Sequence, residues 1–175
     1  MGVMNVIIET NRLLLRTFSE DDAPLLYELN LDPEVIRYTL DPMTDVEHAK
    51  KVLVEVILPQ YALYNHGRWA VHLKEDMEFI GWCGLKYIPE RQEIDLGYRF
   101  GQKFWGKGYA TESAYACLQY GFNKLNMHRI VAHALVENLG SIRVLEKCGM
   151  YYAGEENIHG LLHKTYQATN PAVQL

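Results

Sequence analysis

Phe100-Gly-Gln-Lys-Phe-Trp-Gly-Lys-Gly-Tyr-Ala-Thr111 joins an alternating apolar run, Glu93 to Phe100, to a run with apolar residues at helical spacing, Ala110 to Leu125. The first reads as a strand and the second as a helix. A glycine-rich strand-to-helix turn leaves backbone N–H groups uncovered at the positive end of a helix, where a phosphate is favoured. Gly106 and Gly108 carry no side chain to block the approach, and Lys103 and Lys107 add charge. The turn therefore points to a phosphate-bearing ligand; the plain alternative is a tight turn and nothing more.

Two common phosphate motifs do not fit. Gly101 to Gly108 spells G-x-x-x-x-G-K-G, one residue short of a triphosphatase loop, because Gly108 stands where a Ser or Thr hydroxyl would hold magnesium. The strand expected at Ile130 to Leu135 ends without a metal-binding Asp. A dinucleotide fingerprint needs a third glycine at Thr111 and an acidic residue ~20 positions further on, and both are missing.

Outward from the turn, the chain alternates helices with a meander of strands. Thr10 to Phe18 reads as a first strand, Ser19 caps a helix carrying Leu25, Leu26 and Leu29, and Pro33 to Ile36 makes a short helical turn. A further helix is expected from Asp45 to Leu58, closed by Pro59. Trp69 to Leu73, Phe79 to Ile88 and Glu93 to Phe100 follow as three neighbouring strands, which implies antiparallel pairing. In the helix after the turn, Ala110, Ala114, Cys117, Leu118, Gly121, Phe122 and Leu125 line one face. Arg129 to Leu135 reads as a strand, and Asn138 caps a helix from Leu139 to Cys148 that Gly149 stops. Tyr151-Tyr152 and Leu161 to Thr169 form a final pair around Gly154 to Gly160.

Composition bounds the function. The 175 residues suit a single domain over 1–175, and 49% apolar with 22% charged residues are ordinary for a soluble globular protein. A net charge of −5 disfavours nucleic acid and suits a cationic or neutral partner. Cys83, Cys117 and Cys148 are odd in number and lack metal spacing, which fits reduced thiols in a cytoplasmic protein. The amino terminus lacks the features of a signal peptide, no apolar stretch approaches the ~20 residues of a membrane helix, and the seven histidines show no ligand spacing, so neither membrane nor metal is expected.

Several motifs in order give a more specific reading. Lys103-Phe-Trp-Gly-Lys-Gly-Tyr-Ala110 before a helix resembles the pyrophosphate-binding turn, Gln/Arg-x-x-Gly-x-Gly/Ala, of the GNAT superfamily of N-acyltransferases, with Lys103 in place of Gln or Arg. Asp95-Leu-Gly-Tyr98, the run Glu137 to Met150, Thr10 to Phe18 and Asp32-Pro-Glu-Val35 resemble the subgroup that acetylates amino termini of ribosomal proteins. The resemblance covers about residues 7–150, and the end, Tyr151 to Leu175, is less typical of that subgroup. It implies an α/β fold with a mixed, mostly antiparallel sheet of six to seven strands and about four helices, acting as a monomer or homodimer.

The implied reaction moves an acetyl group from acetyl-CoA, without a metal, to a primary amine by direct attack. The acceptor is a protein amino terminus or a small amine such as a polyamine or aminoglycoside; a non-catalytic acetyl-CoA-binding module is the third possibility. An α-amino group titrates near ~8, so part of it is neutral at pH 7 and a weak base acting through water suffices. By alternation Glu93, Asp95 and Gly97 share one strand face; a solvated polar face explains this too. The resemblance makes Asp95 the base or water holder, with Glu93 as substitute, and Ser141 the proton donor to the leaving thiolate. It gives the backbone of Tyr98, Arg99 and Phe100 to the pantetheine arm and the acetyl carbonyl. The turn residues Lys103, Trp105, Gly106, Lys107, Gly108, Tyr109 and Ala110, with Asn138 and Lys147, complete the implied CoA site, and Arg143 is a further phosphate candidate. Asn138 and Ser141 also have ordinary helix-start roles. Tyr38, Trp69, Trp82 and Tyr98 are candidates for an acceptor pocket or simply for the core.

Overall fold

A computed structural model describes residues 3–173; the first two residues of the amino terminus and the last two of the tail lie outside the described residues. Eight strands form one sheet in the order β1-β2-β3-β4-β5-β6-β8-β7. They are β1 Val6–Glu9, β2 Leu13–Arg16, β3 Arg68–Leu73, β4 Phe79–Ile88, β5 Glu93–Phe100, β6 Arg129–Leu135, β7 Tyr151–Ile158 and β8 Leu161–Thr169. Every neighbouring pair is antiparallel except β5 with β6. The expected α/β class with a mostly antiparallel mixed sheet holds. The strands exceed the expected six to seven because the stretch beginning at Thr10 is the second arm of a hairpin: Val6–Glu9 pairs with Leu13–Arg16, and Thr10 turns the chain by accepting the Leu13 N–H.

The helices are α1 Ala23–Leu29, α2 Val46–Val52, α3 Leu58–Tyr64, α4 Tyr109–Asn123 and α5 Leu139–Lys147. Pro59 does not close the helix begun at Asp45. Leu53–Ile57 forms a π-helical segment, and helical backbone runs on through it into α3, whose first turn holds the proline. A proline in a first turn removes an N–H that has no partner there anyway. With α2 and α3 continuous, four helical stretches flank the sheet.

Alternation along the strands feeds two cores. Leu13, Leu15, Trp69, Leu85, Leu96 and Ile130 pack under α4 and α5, whose Leu118 and Leu145 are likewise buried. Phe18, Leu26, Ala49, Leu53 and Ile57 gather with Ala70 on the opposite face, under α1 to α3. The small-residue stripe on α4 permits close approach, for a Cβ on Gly121 would stand 2.8 Å from Ile130 Cδ1 and 2.9 Å from Leu85 Cδ1. Gly149 follows α5 at φ +83, with its N–H bonded to Glu146 O and the Met150 N–H to Leu145 O. That double bond is the Schellman closure expected of a glycine stop. Gly154, read from sequence as part of a long loop, lies inside β7 at a register shift. The hairpin turn is just His159-Gly160, both at positive φ, the geometry of a tight two-residue hairpin.

One buried polar cluster carries a pH dependence. Arg16 bonds Asp22 through Nη1 and Nη2 at 2.7 and 2.8 Å and donates through Nε to His72 Nε2 at 3.0 Å, so His72 is neutral with its Nδ1–H on Met77 O. Burial, reinforced by Arg16, lowers the His72 pKa, and burial lowers that of His66 as well. A histidine with a depressed folded value stabilises the fold fully above its unfolded value, near ~6.5, and loses that contribution as pH falls toward the folded value. Burial alone would push the Asp22 carboxyl up, but the Arg16 and Ser19 bonds outweigh it and hold it low, so its contribution is lost only in a more acid window. Urea unfolding should therefore show a lower midpoint at pH 5.5 than at pH 7.5; equal midpoints would contradict the neutral, buried assignment.

Candidate active site

β5 and β6 pair at a single register, Asp95 with Val131, and then diverge. Parallel strands that splay leave the edge of β5 over Leu96–Phe100 without a strand partner on the β6 side. The gap opens as a cavity of about 420 Å³ lined by Tyr98, Phe100, Gly106, Ala110, Asn138 and Ser141. The glycine turn forms one end: Gly106 and Gly108 sit at φ +73 and +83, and nothing lies within 4 Å of where a Gly106 Cβ would stand. Gly108 is the residue before the first turn of α4, a 15-residue helix whose N–H groups at that end lack intrahelical partners.

A second cavity, of about 240 Å³, lies against Arg68, Trp82, Asp95, Gly97 and His133, and it shares Tyr38, Thr39, Tyr98, Asn138 and Ser141 with the first. Of these, Tyr98, Asn138 and Ser141 stand at the gap in the sheet, where the two cavities meet. Alternation on β5 explains the division: Leu96 and Phe100 pack toward α4 and α5, as Tyr98 does, while Asp95 and Arg99 face α1 to α3.

At the junction the Tyr98 hydroxyl lies 2.8 Å from Ser141 Oγ and donates to Ser141 O at 3.0 Å. Asn138 Oδ1 accepts the Ser141 N–H at 3.2 Å, the N-cap bond expected from sequence. Burial pushes the Tyr98 hydroxyl pKa up, so the phenol stays protonated and can keep Ser141 oriented. On the other side Arg68 Nη2 bonds Asp95 Oδ2 at 2.5 Å while Nη1 holds Asp95 O and Gly84 O, each at 2.8 Å. Among the described residues Asp95 Oδ1 has no hydrogen-bond partner, which leaves one carboxylate oxygen for a ligand. Glu93 is further along the same face but bonds Arg91 at 2.8 Å and His133 at 3.3 Å. Burial would raise its pKa; those two partners outweigh it and hold the carboxyl below its usual range, which weakens it as a base.

Not every sequence candidate reaches the cavities. The Lys103 ammonium pairs with Glu78, and Lys103 and Lys107 are exposed outside both linings, as are Arg143 and Lys147. Trp105 lines the first cavity and anchors through Nε1 to Phe100 O at 2.8 Å. Arg99, grouped by sequence with the cofactor residues, sends its side chain to the other face: it bonds Asn30 Oδ1 at 2.7 Å, Thr39 Oγ1 at 2.7 Å and Asp41 at 2.8 and 3.0 Å. It thereby straps the segment carrying Tyr38 and Thr39 onto the rim of both cavities. Trp69 is 1% exposed, edge-on to Tyr120 in the core, whereas the Trp82 ring has the Arg68 and Arg99 guanidinium carbons 5.3 and 5.4 Å from its centroid. Cys148 is buried, and burial pushes its thiol up to about 12, too high for a resting thiolate. Arg68 lines the second cavity without any mark in the sequence; its partner Asp95 lies 27 positions away on another strand, and no local spacing links them. Among the described residues no group of three or more His, Cys, Asp or Glu side chains could hold a metal ion, and no helix is long and apolar enough to cross a membrane.

Residues 12–151 match the family model described as an acetyltransferase (GNAT) domain. The uncharacterized N-acetyltransferase p20 of Bacillus licheniformis is 35% identical over 147 residues, covering 83% of this chain and 82% of the relative. The spermidine N(1)-acetyltransferase of Vibrio cholerae is 39% identical over 148 residues, 82% of each chain. In fold, the structure of RimL, a ribosomal L7/L12 alpha-N-protein acetyltransferase in complex with coenzyme A, superposes with a TM-score of 0.83 over 97% of this chain and 100% of that one, at 19% identity.

Proposed function

The chain belongs to the GNAT acetyltransferase family and is an N-acetyltransferase, and from that premise we propose that it moves the acetyl group of acetyl-CoA to a primary amine by direct attack. The observation that carries this reading is the pair of cavities meeting through the β5–β6 gap at Tyr98, Asn138 and Ser141. Such a gap lets a long donor and an amine approach one point from opposite faces of the sheet. The residues fit that donor: open backbone at Gly106 and the start of α4 suits a pyrophosphate, and the unpartnered edge of β5 suits an amide-bearing arm.

Bound acetyl-CoA supplies an activated thioester carbonyl. Main-chain N–H groups of β5 at the splay offer fixed donors to its developing negative charge. Asp95, held by Arg68, accepts a proton from the incoming amine, directly or through a water. Ser141, oriented by Tyr98 and the Asn138 cap, gives a proton to the departing thiolate. Cys148 takes no part, so no acyl-enzyme forms. Asp95 is the proposed base in preference to Glu93 because Asp95 lines the second cavity, where Arg68 fixes its orientation through Oδ2, whereas Glu93 lies outside that lining and is held by Arg91 and His133.

The acceptor side favours a monoamine such as a peptide amino terminus. Its lining sets the single carboxylate of Asp95 against the guanidinium of Arg68, with His133 and His163 nearby. A polyamine carries several cations and would need more unpaired carboxylates than this surface offers; the similarity to a spermidine N(1)-acetyltransferase keeps that reading as the alternative. Release of CoA thiol from acetyl-CoA, followed against a panel of peptides and polyamines, tests the choice. Turnover on peptides above the hydrolysis rate is expected; turnover on polyamines alone would reverse the acceptor, and none at all would leave a binding module. Asp95→Asn should lower kcat by about a hundredfold, at the lower end of general-base contributions, with acetyl-CoA affinity nearly intact.

A further inference from the structure

The first strand pair reaches the glycine turn through one side chain. Arg12 Nη1 donates to Lys107 O at 3.0 Å, its Nε donates to Glu112 Oε1 at 2.9 Å, and its Cζ lies 4.5 Å from the Tyr109 ring centroid. Its Nη2 would stand 3.3 Å from a Cβ on Gly108. The Arg12 N–H and the Thr10 hydroxyl both donate to Glu112 Oε2, at 3.2 and 2.8 Å. Arg12 thus touches the turn at Lys107, Gly108 and Tyr109 and the first helical turn at Glu112.

Two physical features make this arrangement more than a surface ion pair. A guanidinium beside the N-terminus of α4 sits at the positive end of the helix dipole, an unfavourable place unless an anion shares it. Glu112 supplies one anion: burial would raise its pKa, but the Arg12 and Thr10 bonds outweigh that and keep it ionised. Arg12 in turn neutralises a carboxylate that would otherwise repel a phosphate at the same helix end. The second feature is directional. In a trans peptide the carbonyl and the following N–H point opposite ways, so pinning Lys107 O toward β2 turns the Gly108 N–H away from β2. A left-handed backbone at Gly108 has little intrinsic preference over other glycine conformations, so the pinning selects it.

We infer that Arg12 is a positioning residue of the donor site, holding the Lys107-Gly108 peptide and the Glu112 charge in the arrangement that receives the phosphates of CoA. The inference rests on the reading of the turn as the phosphate site and adds a residue that the turn itself does not contain. A merely structural role would weaken every ligand of the groove alike; a phosphate-positioning role weakens only those with phosphates.

The test compares acetyl-CoA with its phosphate-free fragment S-acetylpantetheine. Calorimetric titration of Arg12→Met should raise the dissociation constant for acetyl-CoA tenfold or more. The inhibition or dissociation constant for S-acetylpantetheine should stay within twofold of wild type. Arg12→Lys, which keeps the charge but loses the planar fork, should fall between the two. Should Arg12→Met fail to fold, Arg12→Gln removes the guanidinium and its charge while keeping a polar side chain beside Lys107 O and Glu112, and the same split is expected. Acetyl-CoA binding within twofold of wild type in both variants, or equal losses for both ligands, overturns the inference alone. A folded wild type that does not bind acetyl-CoA overturns the reading of the turn and this inference with it.

Discussion

Ser141→Ala should lower kcat for amine acetylation by about a hundredfold, toward the lower end of what a positioned acid contributes, while acetyl-CoA affinity stays within about twofold. The serine hydroxyl is 2.8 Å from the Tyr98 hydroxyl at the point where the two cavities join, so its loss removes a proton donor without removing a wall of either cavity. The fold should survive, because the helix cap at this position comes from the Asn138 side chain to the Ser141 N–H, which alanine retains. Tyr98→Phe should have a smaller effect in the same direction, since it frees the serine to rotate but leaves it in place. Steady-state kinetics with calorimetric titration separate the two quantities. An unchanged kcat in Ser141→Ala would mean that water protonates the thiolate, and the proposed role would fall.

The largest effect on stability is expected at Gly84. A Cβ there would stand 2.0 Å from Gly67 O and 2.8 Å from Arg68 Cα, both backbone atoms on or beside the neighbouring strand. No rotamer relieves such a contact, so Gly84→Ala must push β3 from β4 and break the Leu85 N–H to Gly67 O bond. The same displacement would disturb Arg68, which bonds Gly84 O and orients Asp95. A loss of about 4 kcal/mol or more, among the larger single-residue effects known, corresponds to roughly 8–16 °C or more in Tm for a chain of this size. Gly149→Ala is the contrast: φ is +83 but nothing lies within 4 Å, so only the left-handed backbone is strained. That should cost about 1 kcal/mol, in line with the αL penalty for an L-residue. Thermal melts of both variants decide the matter, and similar small losses would show that the strands separate more easily than this packing implies.

Features encoded by neighbours in the chain are legible in the sequence alone. The alternation from Glu93 to Phe100 marks β5 and its two faces, the glycines mark a turn that opens a helix, and Asn138 marks a cap. Features made by distant residues are not legible in this way. Arg12 and Glu112 are 100 positions apart, Arg99 and Asp41 are 58, and Arg68 and Asp95 are 27, so nothing in their local spacing pairs them. The same limit hides where the charged side chains go: Lys103 turns to Glu78, 25 positions away, and Arg12 reaches Lys107 O from 95 positions away. Local rules also fail where a neighbouring irregularity suspends them: the π-helical segment before Pro59 carries the helix past a residue that ordinarily ends one, and a register shift absorbs Gly154 into a strand.

The proposed chemistry requires acetyl-CoA to lie in the β5–β6 gap with its phosphates on the glycine turn. Titrating CoA into isotopically labelled protein and following backbone amide resonances tests this placement most directly. The largest shifts are expected at Gly106 to Ala110 and along Leu96 to Phe100, with smaller ones at Asn138 and Ser141. Shifts confined to other surfaces, or none at saturating CoA, would contradict it.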